Sequence, residues 1–351
     1  MSGTPVREAT EAAREAVARR WQAIDALLPD PSEPTKTCGT DLTVTSADGR
    51  VVATGYCRHV HVRPGSLELA WGAATQFALT PWVAGPDVGN GLGQLLERWR
   101  SHLARQPDAA DEDSEAMVRW PSRDVNGVRV LLEHGLHPLT VIAARPADRA
   151  IGGSTNPLTT ASIHSPMARR YGNEGVTEVA GTARASSAGL SIRRAGEGDV
   201  DALERLGMEM MRYDAHFGSV TVRADTARGL RESAARTLAA AQPWTWLAER
   251  DGEAVGMVQA EPPEAAGWVA PLVRARPVAY LGEMSVLPGV RGAGVGTALV
   301  EHLHRELDAA GAAVTLLHHA QLNPLSAPFW NRMGYRPLWT SWEVRPARRL
   351  S

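Results

Sequence analysis

Residues 278–297 read VAYLGEMSVLPGVRGAGVGT, a predicted strand followed by a glycine-rich turn. After Gly294 the chain continues with Leu299, Leu303 and Leu307 at helical spacing, so the turn is predicted to open a helix. The first peptide N–H groups of a helix have no carbonyl partner within it. Those groups and the helix dipole favour an anion, and glycines let a diphosphate approach the backbone closely.

Two other kinds of nucleotide-binding loop are excluded by single residues. The dinucleotide fingerprint requires a glycine three residues after its second glycine, and Thr297 and Leu299 occupy the two possible positions. A phosphate loop of the Walker type requires a lysine, and the only lysine of the chain is Lys36. A turn with a purely structural role remains an alternative at this stage.

The chain contains an internal repeat. An Asp-Gly turn, a glycine cluster and a Gly-x-x-Pro-Leu segment each occur twice in the same order, with offsets of about 200 residues: 48–49 and 251–252, 89–93 and 292–296, 135–139 and 334–338. Such a repeat indicates two copies of one αβ unit, and 351 residues suffice for two domains. We predict a first domain over 1–146, a Gly-, Ser- and Thr-rich linker over 147–190, and a second domain over 191–351.

The glycine-rich turn resembles a known family signature. The run from Arg291 to Gly296 is similar to the Arg/Gln-x-x-Gly-x-Gly/Ala signature of the GNAT superfamily of acetyl-CoA-dependent N-acetyltransferases. A second signature of that family, Asn followed seven residues later by Tyr and then by Gly-Phe, is approached by Asn323, Trp330 and the pair Gly334-Tyr335. The resemblance covers Ser191 to about Arg345 well and Leu42 to Pro146 weakly.

This resemblance implies a fold and a donor. The expected fold class is α+β, with two tandem GNAT-like domains. Each domain is expected to be a mixed, mostly antiparallel twisted sheet flanked by helices, and the central strands of the sheet are expected to part. The implied acyl donor is acetyl-CoA, without a metal. The family's binding residues then correspond to Met284, Ser285 and Val286 for pantetheine, to Arg291, Gly292, Ala293, Gly294, Val295, Gly296 and Thr297 for the diphosphate, and to Asn323, Ser326 and Trp330 beside the thioester arm.

The resemblance also suggests catalytic roles. Because an alkyl amine is protonated at pH 7, acetyl transfer requires a general base, and Glu283 is the candidate; a solvated or ion-paired carboxylate is the alternative. The amide of Met284 would polarise the thioester carbonyl. Trp330 replaces the family's Tyr acid and has no usable acidic proton. Either the thiolate leaves unassisted, or Ser326, Tyr335 or a water molecule donates.

Adjacent histidines end the strand that precedes Asn323. Successive strand residues point to opposite faces, so His318 and His319 are expected on different sides of the sheet. One of them is a candidate base or acceptor contact, and a packed histidine is the alternative.

The first copy lacks the reactive side chains of the second. At the offset of 203 residues, Thr80 stands in place of Glu283 and Val88 in place of Arg291. Tandem GNAT proteins of the mycothiol synthase type are similar in having one competent half. We therefore expect the first copy to brace the second, to cover its substrate cleft, or to retain a coenzyme without turnover.

Composition limits the partners and the location. The net charge of −2 provides no general attraction for nucleic acid or anionic lipid, and no apolar run of 18 residues predicts a membrane span. We expect a cytoplasmic protein.

Cys57, His59 and His61 alternate on one predicted strand face, but the spacing shows no fourth ligand, so no metal is predicted.

The sequence thus predicts an acetyl-CoA-dependent N-acetyltransferase that acts on an amine of a small molecule or protein. The alternatives are a non-catalytic acyl-CoA-binding or scaffold protein, and an acyltransferase that uses a hydroxyl acceptor or a longer acyl group. Neither the acceptor nor the oligomeric state follows from the sequence.

Overall fold

The computed structural model of the protein describes residues 4–31, 39–148 and 189–351. Most of the predicted linker, residues 149–188, lies outside these ranges. The described helices and strands are α1 (Thr4–Ile24), β1 (Gly39–Thr45), β2 (Val51–His61), β3 (Thr75–Val83), α2 (Val88–Leu103), β4 (Ser114–Pro121), α3 (Val125–Glu133), β5 (His137–Pro146), β6 (Leu190–Arg194), α4 (Val200–Ala215), α5 (Thr226–Leu238), β7 (Thr245–Arg250), β8 (Glu253–Glu261), β9 (Val278–Val286), α6 (Val295–Ala309), β10 (Val314–Ala320), α7 (Ser326–Arg332) and β11 (Arg336–Val344).

The internal repeat is visible in the strand register. In the first half Tyr56 of β2 pairs with Thr80 of β3, and in the second half Gln259 of β8 pairs with Glu283 of β9. Both residues of the second pair lie 203 positions after their counterparts, the offset found in the sequence. The predicted fold class, an α+β arrangement of mostly antiparallel strands flanked by helices, is confirmed.

The two halves share one sheet, which the sequence did not predict. Within the described residues the strand order is β1-β2-β3-β4-β11-β5-β10-β9-β8-β7-β6. The last strand of each half has crossed into the other half. Strand β11 pairs antiparallel with β4, and β5 pairs antiparallel with β10.

The hydrophobic cores follow this strand exchange. Trp342 and Val344 of β11 are buried in the first-half core beneath α2, whereas Val141 and Ala143 of β5 are buried in the second-half core beneath α6. Each half therefore obtains part of its core from the chain segment of the other half.

Helix α1 covers the centre of the opposite face. Val17 and Trp21 are buried there, and the Trp21 ring packs edge-on against Trp339 with centroids 5.1 Å apart. Helices α4 and α5 cover the second half on the same face as α1, while α6 and α7 lie on the other face. None of the helices in the described ranges combines the length and apolarity that a membrane crossing requires.

We expect residues 189–351 produced alone to aggregate or to unfold without cooperativity. Strands β10 and β11 would lose their β5 and β4 partners and expose apolar edges. Circular dichroism and size-exclusion chromatography would test this, with co-production of residues 1–148 as the control that should restore a soluble complex. A monomeric, cooperatively folding 189–351 fragment would contradict it.

Candidate functional site

Two neighbouring strands of the second half part at the centre of the sheet. Strands β9 and β10 pair in parallel only from Val278 to Leu281 and from Val314 to Leu317, although both continue further. An irregularity in the β8–β9 register next to Gly282 redirects β9 at this point. The parted strands line a cavity of about 900 Å³, a volume typical of small-molecule sites. This is the splayed arrangement that the family resemblance implied.

The glycine-rich turn lies at the edge of this cavity. Gly292 and Gly294 have φ values of 79° and 83°, and a Cβ built on either would meet no atom within 4 Å. Gly294 is the residue before α6, and the first helical bond runs from the Ala298 N–H to its carbonyl at 3.0 Å. The positive φ values and the open space both suit glycine and leave the backbone accessible.

Five peptide N–H groups at this turn have no acceptor among the described residues. They belong to Gly292, Gly294, Val295, Gly296 and Thr297. All five residues line the cavity. At the start of α6 these donors form a site for an anion, where the helix dipole adds to the attraction.

Two residues of the predicted diphosphate site contribute differently. The Ala293 N–H already bonds to the Val290 carbonyl at 3.3 Å, and Ala293 does not line the cavity. The Arg291 side chain lies at the cavity wall but donates to the Val286 carbonyl at 3.0 Å and to Glu209 at 3.2 Å. It therefore attaches the turn to β9 and α4, and its charge acts from a fixed position.

Glu283 lies in the cavity wall on the face covered by α4. Met284 packs on the other face, against the α6 core, as alternation along a strand requires. Desolvation raises the pKa of Glu283 to about 7. Within the described part of the chain it has no cationic partner in salt-bridge range, which disfavours the ion-paired alternative.

His318 and Tyr280 lie on the same face as Glu283. The Tyr280 hydroxyl is 3.0 Å from Nδ1 of His318. Burial lowers the pKa of His318 to about 3, so this imidazole is neutral at pH 7. His319 points to the other face, with Nδ1 3.1 Å from the Ala320 carbonyl. The predicted division of the two histidines between the faces is therefore present.

Asn323 joins three elements at the far end of the cavity. Its Nδ2 donates to Asp214 at 3.0 Å, while its Oδ1 accepts from the N–H groups of Leu325 and Ser326 at 3.0 and 3.3 Å. Burial raises the pKa of Asp214. Asn323 thus fixes the start of α7 against α4, and Ser326 lines the cavity.

Trp330 and Tyr335 occupy different places from one another. Trp330 lines the cavity and packs edge-on against Tyr335, with ring centroids 5.4 Å apart. Tyr335 lies beneath it in the core, 1% exposed, and its hydroxyl is 3.0 Å from Nε2 of His304. The prediction that Tyr335 donates a proton is corrected, because its hydroxyl is buried away from the cavity and already has a partner.

Two tryptophans that no sequence motif indicated, Trp71 and Trp268, also line the cavity. Trp71 from the first half and Trp268 are large exposed rings, and Trp268 Nε1 donates to Glu261 at 2.6 Å. The hydroxyl of Ser285 is buried in the wall and finds no hydrogen-bond partner among the described residues. Isolated tryptophans in irregular segments follow no period, so only the folded chain shows that they meet here.

The corresponding turn of the first half is closed by its own side chain. Asp87 precedes α2, and its carboxylate accepts from the Asn90 N–H at 2.9 Å. The Gly91 N–H is bonded to the Asp87 carbonyl at 3.0 Å. A carboxylate therefore occupies the position where an anionic ligand would bind, and it would repel a diphosphate.

Helix α1 fills the corresponding gap between β3 and β4. Arg20 donates to the Val83 carbonyl, lies 3.4 Å from the Asp124 carboxylate, and stacks 5.7 Å from the centroid of Trp120. Trp120 in turn packs against Gly127 and donates to the Asp124 carbonyl at 2.9 Å. These contacts occupy the space that remains open in the second half.

Comparison with known proteins agrees with this geometry. Residues 214–335 match the family model described as Acetyltransferase (GNAT) family. None of the curated proteins matches the chain. Among solved structures, the chain is similar to a GCN5-related N-acetyltransferase from Sphaerobacter thermophilus, at 16% identity over 98% of this chain and 94% of that one, with a TM-score of 0.53.

Two further solved structures cover nearly the whole chain. One is a GCN5-related N-acetyltransferase from Kribbella flavida, at 14% identity over 95% of each chain with a TM-score of 0.42. The other is a tandem GNAT protein from the clavulanic acid biosynthesis pathway, at 15% identity over 98% of this chain and 96% of that one, with a TM-score of 0.39. The second half of the chain thus matches the GNAT acetyltransferase family over residues 214–335, and its strand register is repeated in the first half.

Proposed function

We propose that the second half of the chain transfers an acetyl group from acetyl-CoA to the amine of a small molecule. One observation carries the proposal: five peptide N–H groups at 292–297 and the carboxylate of Glu283, all without a partner in the described part of the chain, border the same cavity. The N–H groups suit an anionic acyl donor, and the carboxylate suits a base that deprotonates the acceptor.

The donor residues are those that the family resemblance indicated, with two changes. The N–H groups around Gly294 would hold the diphosphate, while Arg291 orients the turn and Ala293 takes no part. The backbone of Met284 to Val286, which has no β10 partner, would bind the pantetheine arm. Acetyl-CoA supplies the acetyl thioester, and the Met284 amide would polarise its carbonyl.

Glu283 is assigned as the general base. A carboxylate with a pKa of about 7 is partly deprotonated at neutral pH and accepts a proton more readily than an ordinary glutamate does. An alkyl ammonium has a pKa near 10, so such a base is required. For the leaving thiolate, Ser326 or water remains as the proton donor, or the thiolate departs unassisted.

The acceptor side of the cavity favours an amine with an apolar body. The rings of Trp71, Trp268 and Tyr280 line it, with the carboxylates of Glu261 and Asp214 nearby. Aromatic faces and carboxylates both attract an ammonium group. Because Trp71 comes from the first half and narrows this side, we infer a small molecule rather than a lysine on a folded protein.

The deciding experiment combines calorimetric titration of acetyl-CoA with a thiol-release assay over panels of amines and alcohols. Binding together with release for an aromatic or alkyl amine supports the proposal. Binding without release for any acceptor would instead establish the non-catalytic acyl-CoA-binding alternative. Release with alcohols alone, or with a longer acyl-CoA alone, would establish the corresponding acyltransferase alternative.

Substitution of Gly294 tests the diphosphate site. Gly294→Asp places a carboxylate on the residue before α6, as Asp87 does before α2, and Gly294→Asn adds a side chain of the same shape without charge. Both tolerate a positive φ better than other residues. We expect acetyl-CoA to bind roughly 10–100-fold more weakly to the Asp variant than to the Asn variant, measured by calorimetry at low salt. Equal affinities would place the diphosphate elsewhere.

Glu283→Gln tests the base. We expect kcat to fall by roughly 10²–10⁴-fold because proton acceptance is lost, with little change in acetyl-CoA affinity. In the unaltered protein kcat should rise through pH 7, and this rise should be absent in the variant. Glu253→Gln, an exposed carboxylate on β8, is the matched control. An unchanged pH profile in Glu283→Gln would remove Glu283 from the mechanism.

Glu283→Gln should lower activity but increase the free energy of unfolding at high pH. The pKa of Glu283 is raised from 4.5 to about 7 on folding. Between these pH values Glu283 binds a proton more strongly in the folded than in the unfolded protein, so the free energy of unfolding falls as pH rises. At pH 8 Glu283→Gln should therefore be more stable, by about 1–2 kcal/mol after allowance for partial exposure, and near pH 4 this gain should vanish. Denaturant titrations at both pH values measure this; a gain that does not change with pH would contradict it.

A further inference from the structure

A cluster of two histidines and an aspartate lies outside the acetyl-transfer site, in the first half. His59 and His61 stand at the end of β2, and Asp108 belongs to the 3-10 turn Pro107–Ala110 before β4. One ligand atom from each lies within 4.8 Å of the others. Nε2 of His61 is 3.4 Å, and Nε2 of His59 is 3.7 Å, from Oδ2 of Asp108.

This cluster differs from the triad that the sequence suggested. Cys57 shares the strand face of the histidines, but its Sγ accepts from Trp99 Nε1 at 3.1 Å in the core. Burial raises the pKa of the Cys57 thiol to about 11, so the thiolate is disfavoured. Asp108 takes the third position instead. No sequence spacing could indicate it, because it lies 47 residues beyond His61.

The histidine rings are held so that their Nε2 atoms face the aspartate. His59 stacks on Phe77, with centroids 4.3 Å apart and an angle of 20° between planes. Its buried Nε2 has no hydrogen-bond partner within the described residues. Nδ1 of His61 is 3.3 Å from the Thr75 hydroxyl, a contact that orients this ring.

We propose that His59, His61 and Asp108 bind a divalent transition-metal ion of the zinc type. Ligands on a tetrahedral zinc ion lie about 3.3 Å apart, close to the two distances to Asp108. Two imidazoles and one carboxylate are donors that such ions favour over calcium or magnesium. His61 is 62% exposed, so water has access to a fourth position.

Such an ion would join β2 to the turn before β4. His61 pairs with Thr75 at the base of the loop 62–74, and this loop carries Trp71 to the acetyl-transfer cavity. The ion would therefore restrain the base of that loop. The proposal does not depend on the acetyl-transfer function, since it rests on different residues.

Zinc titration of the untagged, metal-free full chain tests the site. We expect one ion per chain with a micromolar or lower Kd, accompanied by a rise in Tm. His61→Ala and Asp108→Asn alter exposed or partly exposed side chains and should each weaken binding at least tenfold. His137→Ala is the control, because Nε2 of His137 also lies near a carboxylate, 3.5 Å from Glu343, but no third ligand joins this pair among the residues that the structure describes.

The results separate clearly. Loss of zinc binding in both cluster variants, with binding retained in His137→Ala, supports the site. Unchanged binding in the two cluster variants would assign the ion to other residues and overturn the proposal, as would the absence of zinc binding in the unaltered chain. Thermal unfolding without zinc establishes that each variant is folded.

Discussion

The parting of β9 from β10 is the constraint on which the rest of the structure depends. Buried strands normally satisfy their backbone groups on both edges. Here β9 keeps its ladder with β8 as far as Val286, and β10 keeps its ladder with β5 as far as Ala320. Because each strand retains one complete edge, the other edge can open without disrupting the sheet. The opening places α6, Glu283 and the histidines around one cavity.

The strand exchange provides one of these paired edges. The complete edge of β10 is provided by β5, which belongs to the first half of the sequence. The first half therefore supports one wall of the cavity through this strand pairing. Its Thr140 and Trp71 also line the cavity. Of the roles considered for the first copy, bracing and covering the second are those that the contacts support.

The two halves differ by a few residues at the start of the helix and between the strands. At the start of α6 the residue before the helix is Gly294, without a side chain, and at the start of α2 it is Asp87, whose carboxylate occupies the free N–H group. Between β3 and β4, Arg20 and Trp120 fill the gap. Neither change disturbs the sheet, because both affect only the ends of strands and helices.

What the sequence could predict was local or repeated. The turn needs a positive φ at Gly294, which requires a glycine that can be recognised in the sequence. The 203-residue repeat can also be recognised there, and the strand register preserves it. No sequence pattern predicts the strand exchange, because β5 has the same apolar pattern whichever half it completes. Likewise Tyr335 and Trp330 are both aromatic residues near a motif, and only packing decides that the first contacts His304 while the second faces the cavity.

For the proposed reaction, this same packing reduces the number of candidate proton donors. Tyr335 is buried and the indole of Trp330 has no usable acidic proton, so Ser326, which lines the cavity, is the predicted side-chain donor that remains. A serine hydroxyl is a weak acid, whereas a thiol has a pKa of about 8.5 and leaves readily as the thiolate. In the proposed reaction, removing the proton from the amine is therefore more demanding than supplying one to the leaving thiolate. In the proposed reaction this requirement falls on Glu283, whose pKa desolvation raises to about 7, so that its carboxylate is more basic than that of an ordinary glutamate.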